Sequence, residues 1–169
     1  MTDVNAGTAT PTRCGYVAII GAPNAGKSTL VNALVGAKVS IVSHKVQTTR
    51  MPVRGIAMQG ASQLVFIDTP GIFAPKRRLD RAMVTSAWGG AGDADVVALL
   101  VDSKKGIDAE VEAILEKLKD APRKKVLVLN KIDLIPRENL LALAQDLNAR
   151  CAFAETFMVS AAKGDGVAH

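Results

Sequence analysis

Cysteine is scarce in this chain of 169 residues, and long hydrophobic runs are missing. The only two cysteines, Cys14 and Cys151, stand near opposite ends and share no metal-ligand spacing. That excludes a disulfide framework or a cysteine zinc site and leaves two reduced thiols. The longest apolar runs, such as Val96 to Val101, fall far short of the roughly 20 residues that cross a bilayer. Met1 to Arg13 mixes Thr, Ala, Asn and Gly with no apolar stretch, so residues 1–13 read as a disordered leader and not as a signal peptide. Histidine occurs twice. His44 has no carboxylate beside it in sequence and reads as a bystander, not a catalytic base. No internal repeat and no linker divides the chain, and the expectation is a single domain over 14–169.

What is present is an ordinary globular balance, 49% hydrophobic and 22% charged. The net charge of +5 favours weak attraction to nucleic acid or an anionic membrane and establishes neither. The basic clusters Lys76-Arg77-Arg78 and Arg123-Lys124-Lys125 read as solvated faces. Short runs rich in aliphatic and β-branched residues, Tyr16 to Ile20, Leu64 to Ile67, Val96 to Val101, Val126 to Leu129 and Thr156 to Val159, have the pattern of strands buried on both faces. Val53 to Gln59 is more mixed and suits an edge strand. Helical periodicity fills the intervals. Val111, Ile114, Leu115 and Leu118 fall on one face, as do Leu140, Ala144 and Leu147, and Lys27 to Val35 and Leu79 to Trp88 are two further helices. The sole tryptophan, Trp88, closes the last of these as a packing residue, and Gly89 to Gly92 ends the helix. The pattern predicts a three-layer α/β fold with a six-stranded, mostly parallel sheet and one antiparallel edge strand. Residues 37–52 and 70–78 read as functional loops.

Gly21-Ala22-Pro23-Asn24-Ala25-Gly26-Lys27-Ser28 matches G-x-x-x-x-G-K-[ST] between a predicted strand and a predicted helix, the context that supports a phosphate-binding loop. Gly21 and Gly26 allow a tight turn whose N–H groups point at phosphate oxygens. The helix start adds its positive end, Lys27 a point charge for the β- and γ-phosphates, and the Ser28 hydroxyl a ligand for octahedral Mg²⁺. Asp68-Thr69-Pro70-Gly71 follows the Leu64 to Ile67 strand. Asp68 there can hold Mg²⁺ through water, and Gly71 can offer its N–H to a γ-phosphate.

Asn130-Lys131-Ile132-Asp133 chooses the base. The Asp133 carboxylate can accept both N1–H and N2–H₂ of guanine, and adenine offers neither donor. After the last strand, Ser160-Ala161-Ala162-Lys163-Gly164 lets the N–H groups of Ala161 and Ala162 approach guanine O6.

These motifs are the G-box set of the P-loop GTPases, and the residues between them resemble the Era family. Ser40-Ile41-Val42-Ser43 leading to Gln47-Thr48-Thr49-Arg50 resembles the Era switch I loop. Asp68-Thr69-Pro70-Gly71-Ile72-Phe73-Ala74-Pro75-Lys76 resembles its switch II. The likeness runs from about Gly15 to Val167 and implies a GTPase that cycles between GTP and GDP. By the resemblance Thr49 joins Mg²⁺ and senses the γ-phosphate, with Thr48 its nearest competitor. Lys131 lies along the guanine ring, and Asn130 braces the phosphate loop. The implied phosphate contacts extend to Thr29, Thr69, Pro70 and Ile72, and the guanine set runs over Asn130, Lys131, Ile132, Asp133, Ser160, Ala161 and Ala162. Ile72 stands where Ras-like enzymes carry a water-positioning glutamine, which implies slow intrinsic hydrolysis. Related GTPases with Pro-Asn in the loop use the asparagine to hold K⁺, so Asn24 is a candidate potassium ligand. Era proteins also carry a KH domain that binds 16S rRNA of the small ribosomal subunit. Here that domain and the closing helix of the GTPase domain are expected to be absent. The implied location is cytoplasmic or peripheral to the inner membrane. A GTPase of the EngA or MnmE type and an ATP-using P-loop enzyme are the alternatives.

Overall fold

The structure, a computed structural model, describes residues 12–42, 49–75 and 78–167. His44, Gln47, Thr48, Lys76 and Arg77 lie outside the described residues, as do residues 1–11 of the expected leader. The strands are β1 (Arg13–Ile20), β2 (Val53–Gln59), β3 (Ser62–Asp68), β4 (Val96–Asp102), β5 (Lys124–Asn130) and β6 (Glu155–Val159). The helices are α1 (Lys27–Val35), α2 (Arg78–Asp93), α3 (Ala109–Lys119) and α4 (Arg137–Arg150). The strands form one six-stranded sheet in the order β2-β3-β1-β4-β5-β6. Its pairings are parallel except between β2 and β3, which run antiparallel at one edge. The expected fold class is therefore the observed one.

Alternation along the central strands divides the core. Ala18 and Ile20 of β1 face α2, α3 and α4 with Ala87, Ile114 and Leu147, while Ile19 faces α1 with Leu30 and Val31. Each of these side chains is at most 4% exposed, as expected for strands covered on both faces. The two predicted helical faces hold: Val111, Ile114, Leu115 and Leu118 are buried on α3, and Leu140, Ala144 and Leu147 on α4. The Asp108 side chain caps α3 by accepting the Val111 N–H at 2.9 Å.

Three expectations need correction. β1 begins at Arg13, which pairs with Ser62, so the strand takes in the last residue assigned to the leader. α2 does not end at Trp88 but runs on through Gly89, Gly90 and Gly92 to Asp93. Met83, Ala87 and Ala91 bury one continuous face of it, and that tertiary packing outweighs the low helix propensity of glycine. Trp88 therefore sits mid-helix, packed on the core, with Lys117 Nζ 4.5 Å from its ring centroid. The Arg123-Lys124-Lys125 cluster is also more than a solvated face. Arg123 donates to the Gly92 carbonyl at the end of α2, and Lys125 donates to the Leu118, Lys119 and Ala121 carbonyls at the end of α3.

Candidate nucleotide site

Parallel strands bring the segments after β1, β3, β5 and β6 to one edge of the sheet, where α/β folds bind ligands. A cleft of about 420 Å³ opens there, lined among others by Asn24, Lys27, Ser28, Thr49, Gly71, Lys131 and Ala162. Its floor is the 21–28 loop. Gly21 has φ +156° and Gly26 φ +101°. A Cβ would strike the Leu100 carbonyl at Gly21 and Asn130 Nδ2 at Gly26. The loop can therefore pass this close to β4 and β5 only as glycine.

Lys27 opens α1 and is 7% exposed. Its Nζ donates to the carbonyls of Gly21, at 3.1 Å, and Ala22, at 2.8 Å. Burial pulls its pKa down to about 8 against the opposing pull of Asp68 and, more weakly, Glu110.

Asp68 is fully buried at the end of β3. Its Oδ2 accepts hydroxyl hydrogen bonds from Ser28 at 2.6 Å, Ser40 at 2.6 Å and Thr49 at 3.1 Å. Oδ1 is buried with no hydrogen-bond partner among the described residues. A carboxylate oxygen that meets the Ser28 and Thr49 hydroxyls gathers three hard oxygen atoms, a set that fits a cation such as Mg²⁺. Among the described residues no cluster of three His, Cys, Asp or Glu offers an alternative metal site. Thr69 is also fully buried, and its hydroxyl donates to the Ile19 carbonyl at 2.7 Å.

At the other end of the cleft, Asn130 is 2% exposed and its amide joins two loops. Nδ2 donates to the Ala25 carbonyl at 2.9 Å, and Oδ1 accepts the Ala161 N–H at 3.0 Å. Lys131, in a left-handed conformation at φ +63°, reaches back to the Asn24 carbonyl at 2.9 Å. Asp133 accepts from Ser160 Oγ at 2.8 Å and pairs with Lys163 at 3.3 Å. The Ser160 hydrogen bond, followed by the contact with Lys163, holds its carboxyl below the usual carboxylate range.

Some residues differ from expectation. The Ala161 N–H, expected to face guanine O6, is committed to Asn130, so of the alanine pair Ala162 is the one on the cleft wall. Ile72 turns its side chain into the α2-side core and donates its N–H to the Gly21 carbonyl at 3.0 Å. Ile132 likewise packs against the core. The sequence reading gave Asn32 no role and named Ser40 only within the run that resembles switch I; the Ser40 partner Asp68 lies 28 residues further along. That reading also missed Asp102, although an acid at the carboxyl end of β4 is the kind of position that holds ligands or their supports.

Residues 16–131 match the family model described as 50S ribosome-binding GTPase. The chain belongs to this GTPase family. Similar relatives include GTPase Era of Bradyrhizobium sp. strain ORS 278, 65% identical over 92% of this chain and 51% of that protein. Another is GTPase Era of Agrobacterium fabrum, 66% identical over 94% of this chain and 50% of that one. The fold superposes on that of Era in complex with MgGDPNP and nucleotides 1506–1542 of 16S ribosomal RNA, with a TM-score of 0.86 and 40% identity over 91% of this chain and 53% of that one. An Aquifex aeolicus Era variant bound to GDP·AlF₄⁻ gives a TM-score of 0.83, again with 40% identity, over 89% and 52% of the two chains. The Era resemblance read from the motifs is borne out, and the chain spans about half the length of the curated relatives it matches.

Proposed function

We propose that this member of the GTPase family binds GTP and GDP in the cleft and hydrolyses GTP slowly, as the switch half of an Era-type factor in small-subunit assembly. The observation that carries the reading is the Asn130 bridge. One buried amide ties the guanine motif both to the phosphate loop and to the loop after β6. An ATP-using P-loop enzyme has no need of a loop beside Asp133 that is held in this way. Bound Mg²⁺, held by Ser28, Thr49 and, through water, Asp68, would neutralise charge on the β- and γ-phosphates. Lys27, which lines the cleft, would add a second positive charge. Asp133 stays ionised at neutral pH and can accept two guanine donors.

Slow turnover follows from Ile72, which sits in the core and has no group to orient water. Asn24 is exposed at φ +61°, lines the cleft and has its carbonyl on Lys131, which suits the proposed role as a K⁺ ligand. That role predicts faster hydrolysis in K⁺ than in Na⁺ at equal ionic strength, a difference that Asn24→Ala removes. The Era structure carrying a 16S rRNA fragment supports rRNA and the small subunit as partners of the longer protein. A cytoplasmic site of action agrees with that role. The +5 charge gives a weak basis for peripheral attraction to an anionic inner membrane, and no described helix is long and apolar enough to cross one.

The deciding experiment compares GTP with ATP binding and then follows single-turnover hydrolysis with Mg²⁺. Equal affinity for the two nucleotides would refute the guanine reading. Tight GTP binding with no turnover, in K⁺ or in Na⁺, would leave a domain that holds nucleotide only as a structural ligand.

A further inference from the structure

No nucleotide motif requires Ser40, yet it is 4% exposed and its Oγ donates to Asp68 Oδ2 at 2.6 Å. Its backbone is held just as closely. Asn32 Oδ1, from α1, accepts the N–H groups of Val39 at 2.9 Å and Ser40 at 2.8 Å, and Asn32 Nδ2 donates to the Ser40 carbonyl at 2.9 Å. Both ends of one amide are thus directed at a two-residue segment. The hydrogen bonds form a strut from α1 through Asn32 and Ser40 to the carboxylate at the end of β3. Ile41 and Val42, the next residues along, line the cleft, whereas Ser40 lies behind it.

Three hydroxyls meet on Asp68 Oδ2, and two of them, Ser28 and Thr49, belong to the Mg²⁺ set. Those two also share a hydrogen bond with each other at 3.1 Å, and they must change partners when a cation arrives. Among the described residues, the Ser40 hydroxyl bonds only to Asp68. We propose that Ser40, held by Asn32, is a positioning residue that fixes Asp68 through Oδ2, the oxygen that Ser28 and Thr49 also meet, and so orients the carboxylate toward the Mg²⁺ set. The proposal rests on the GTP and Mg²⁺ reading above and extends it to a side chain outside the motifs. A buried serine whose only task was to anchor the loop would not need its hydroxyl on the one carboxylate the metal uses.

The test follows release of a fluorescent N-methylanthraniloyl GDP from the chain as Mg²⁺ is titrated. In Ser40→Ala, the Mg²⁺ concentration that half-maximally slows release rises about tenfold, as expected for losing one hydrogen bond to a charged group. Release in EDTA stays at the parent rate. Ser40→Thr restores the parent Mg²⁺ dependence, because the hydroxyl returns. Asn32→Ala keeps the hydroxyl but frees the segment, and shifts the midpoint in the same direction. A parental midpoint in both Ser40→Ala and Asn32→Ala overturns the proposal. So does release that accelerates equally with and without Mg²⁺, which is the signature of a loop anchor alone. Ser28→Ala is the control: if it too leaves the Mg²⁺ dependence intact, the Mg²⁺ reading of the cleft fails, not the role of Ser40 within it.

Discussion

Lys131 Nζ and Asp102 Oδ2 stand 2.6 Å apart at the carboxyl ends of the neighbouring strands β5 and β4. The pair is only partly exposed, 31% for the lysine side chain and 9% for the aspartate. The second Asp102 oxygen accepts the N–H of Lys104 at 3.0 Å, which fixes the carboxylate. The same ammonium also bonds the Asn24 carbonyl, so Asp102 helps hold Lys131 over the 21–28 loop.

Asp102→Asn keeps the acceptor for Lys104 but removes the ion pair. GDP affinity should fall about tenfold, the range of a partly buried charged hydrogen bond, with little change in melting temperature. In a Lys131→Met background the same substitution should cost nothing further. Additive losses in that double-mutant cycle would show that Asp102 acts elsewhere.

Asp133→Asn exchanges a double acceptor for a side chain that also donates. GTP binding should weaken by roughly 10²-fold or more, and xanthosine triphosphate, with a carbonyl where guanine has its amino group, should gain. Equilibrium titration with both nucleotides reads the switch, and unchanged GTP affinity would remove Asp133 from the base site.

Lys27 makes nucleotide binding pH-dependent. In the free chain its pKa is drawn down to about 8, and bound phosphate favours the ammonium and raises it. Well below that value the lysine is protonated before and after binding, and no proton moves. As pH rises past about 8, binding must draw a proton from solution, so affinity falls, and uptake approaches one proton at about pH 9. Calorimetry in buffers of different ionisation enthalpy measures the uptake, and Lys27→Met should abolish it. The free fold responds in the opposite sense. Between about 8 and the ordinary value of 10.5 the unfolded chain binds more protons at this lysine, so its contribution to stability rises with pH.

Gly26→Ala places a methyl group on Asn130 Nδ2 at a backbone angle that L residues seldom adopt. The strain should lower stability by about 1–3 kcal/mol, visible as a reduced urea midpoint, and should abolish nucleotide binding. A variant with parental affinity would show that the loop approaches Asn130 less closely than described.

Sequence periodicity located the layers well where burial is one-sided or complete. The bounds of β2 and α1 match those read from the pattern, because a glycine-rich loop and an antiparallel turn leave clear edges. The end of α2 was not legible. Its glycines signal a stop locally, and only the packed face of Met83, Ala87 and Ala91 reveals the continuation. The segments that come together at the cleft were legible because each is a short contiguous run at a strand end. Asn32 and Ser40 were not. An asparagine inside a helix and a serine in a loop gain meaning only when the fold sets them beside a carboxylate 28 residues beyond Ser40.

The Asn130 bridge joins residues 105 positions apart, and its other arm waits for Ala161, beyond the last strand. Long-range closures of this kind form late, after the loop entropy between their ends has been overcome. During synthesis from the N-terminus, the phosphate loop emerges well before β6, so the two halves of the cleft are separated in time as well as in sequence. A nascent chain still lacking Ala161 can tie Asn130 to the phosphate loop but not to the segment after β6. A ligand that touches both halves would then act as a clasp, tightening a closure that the chain can make only once both have been synthesised.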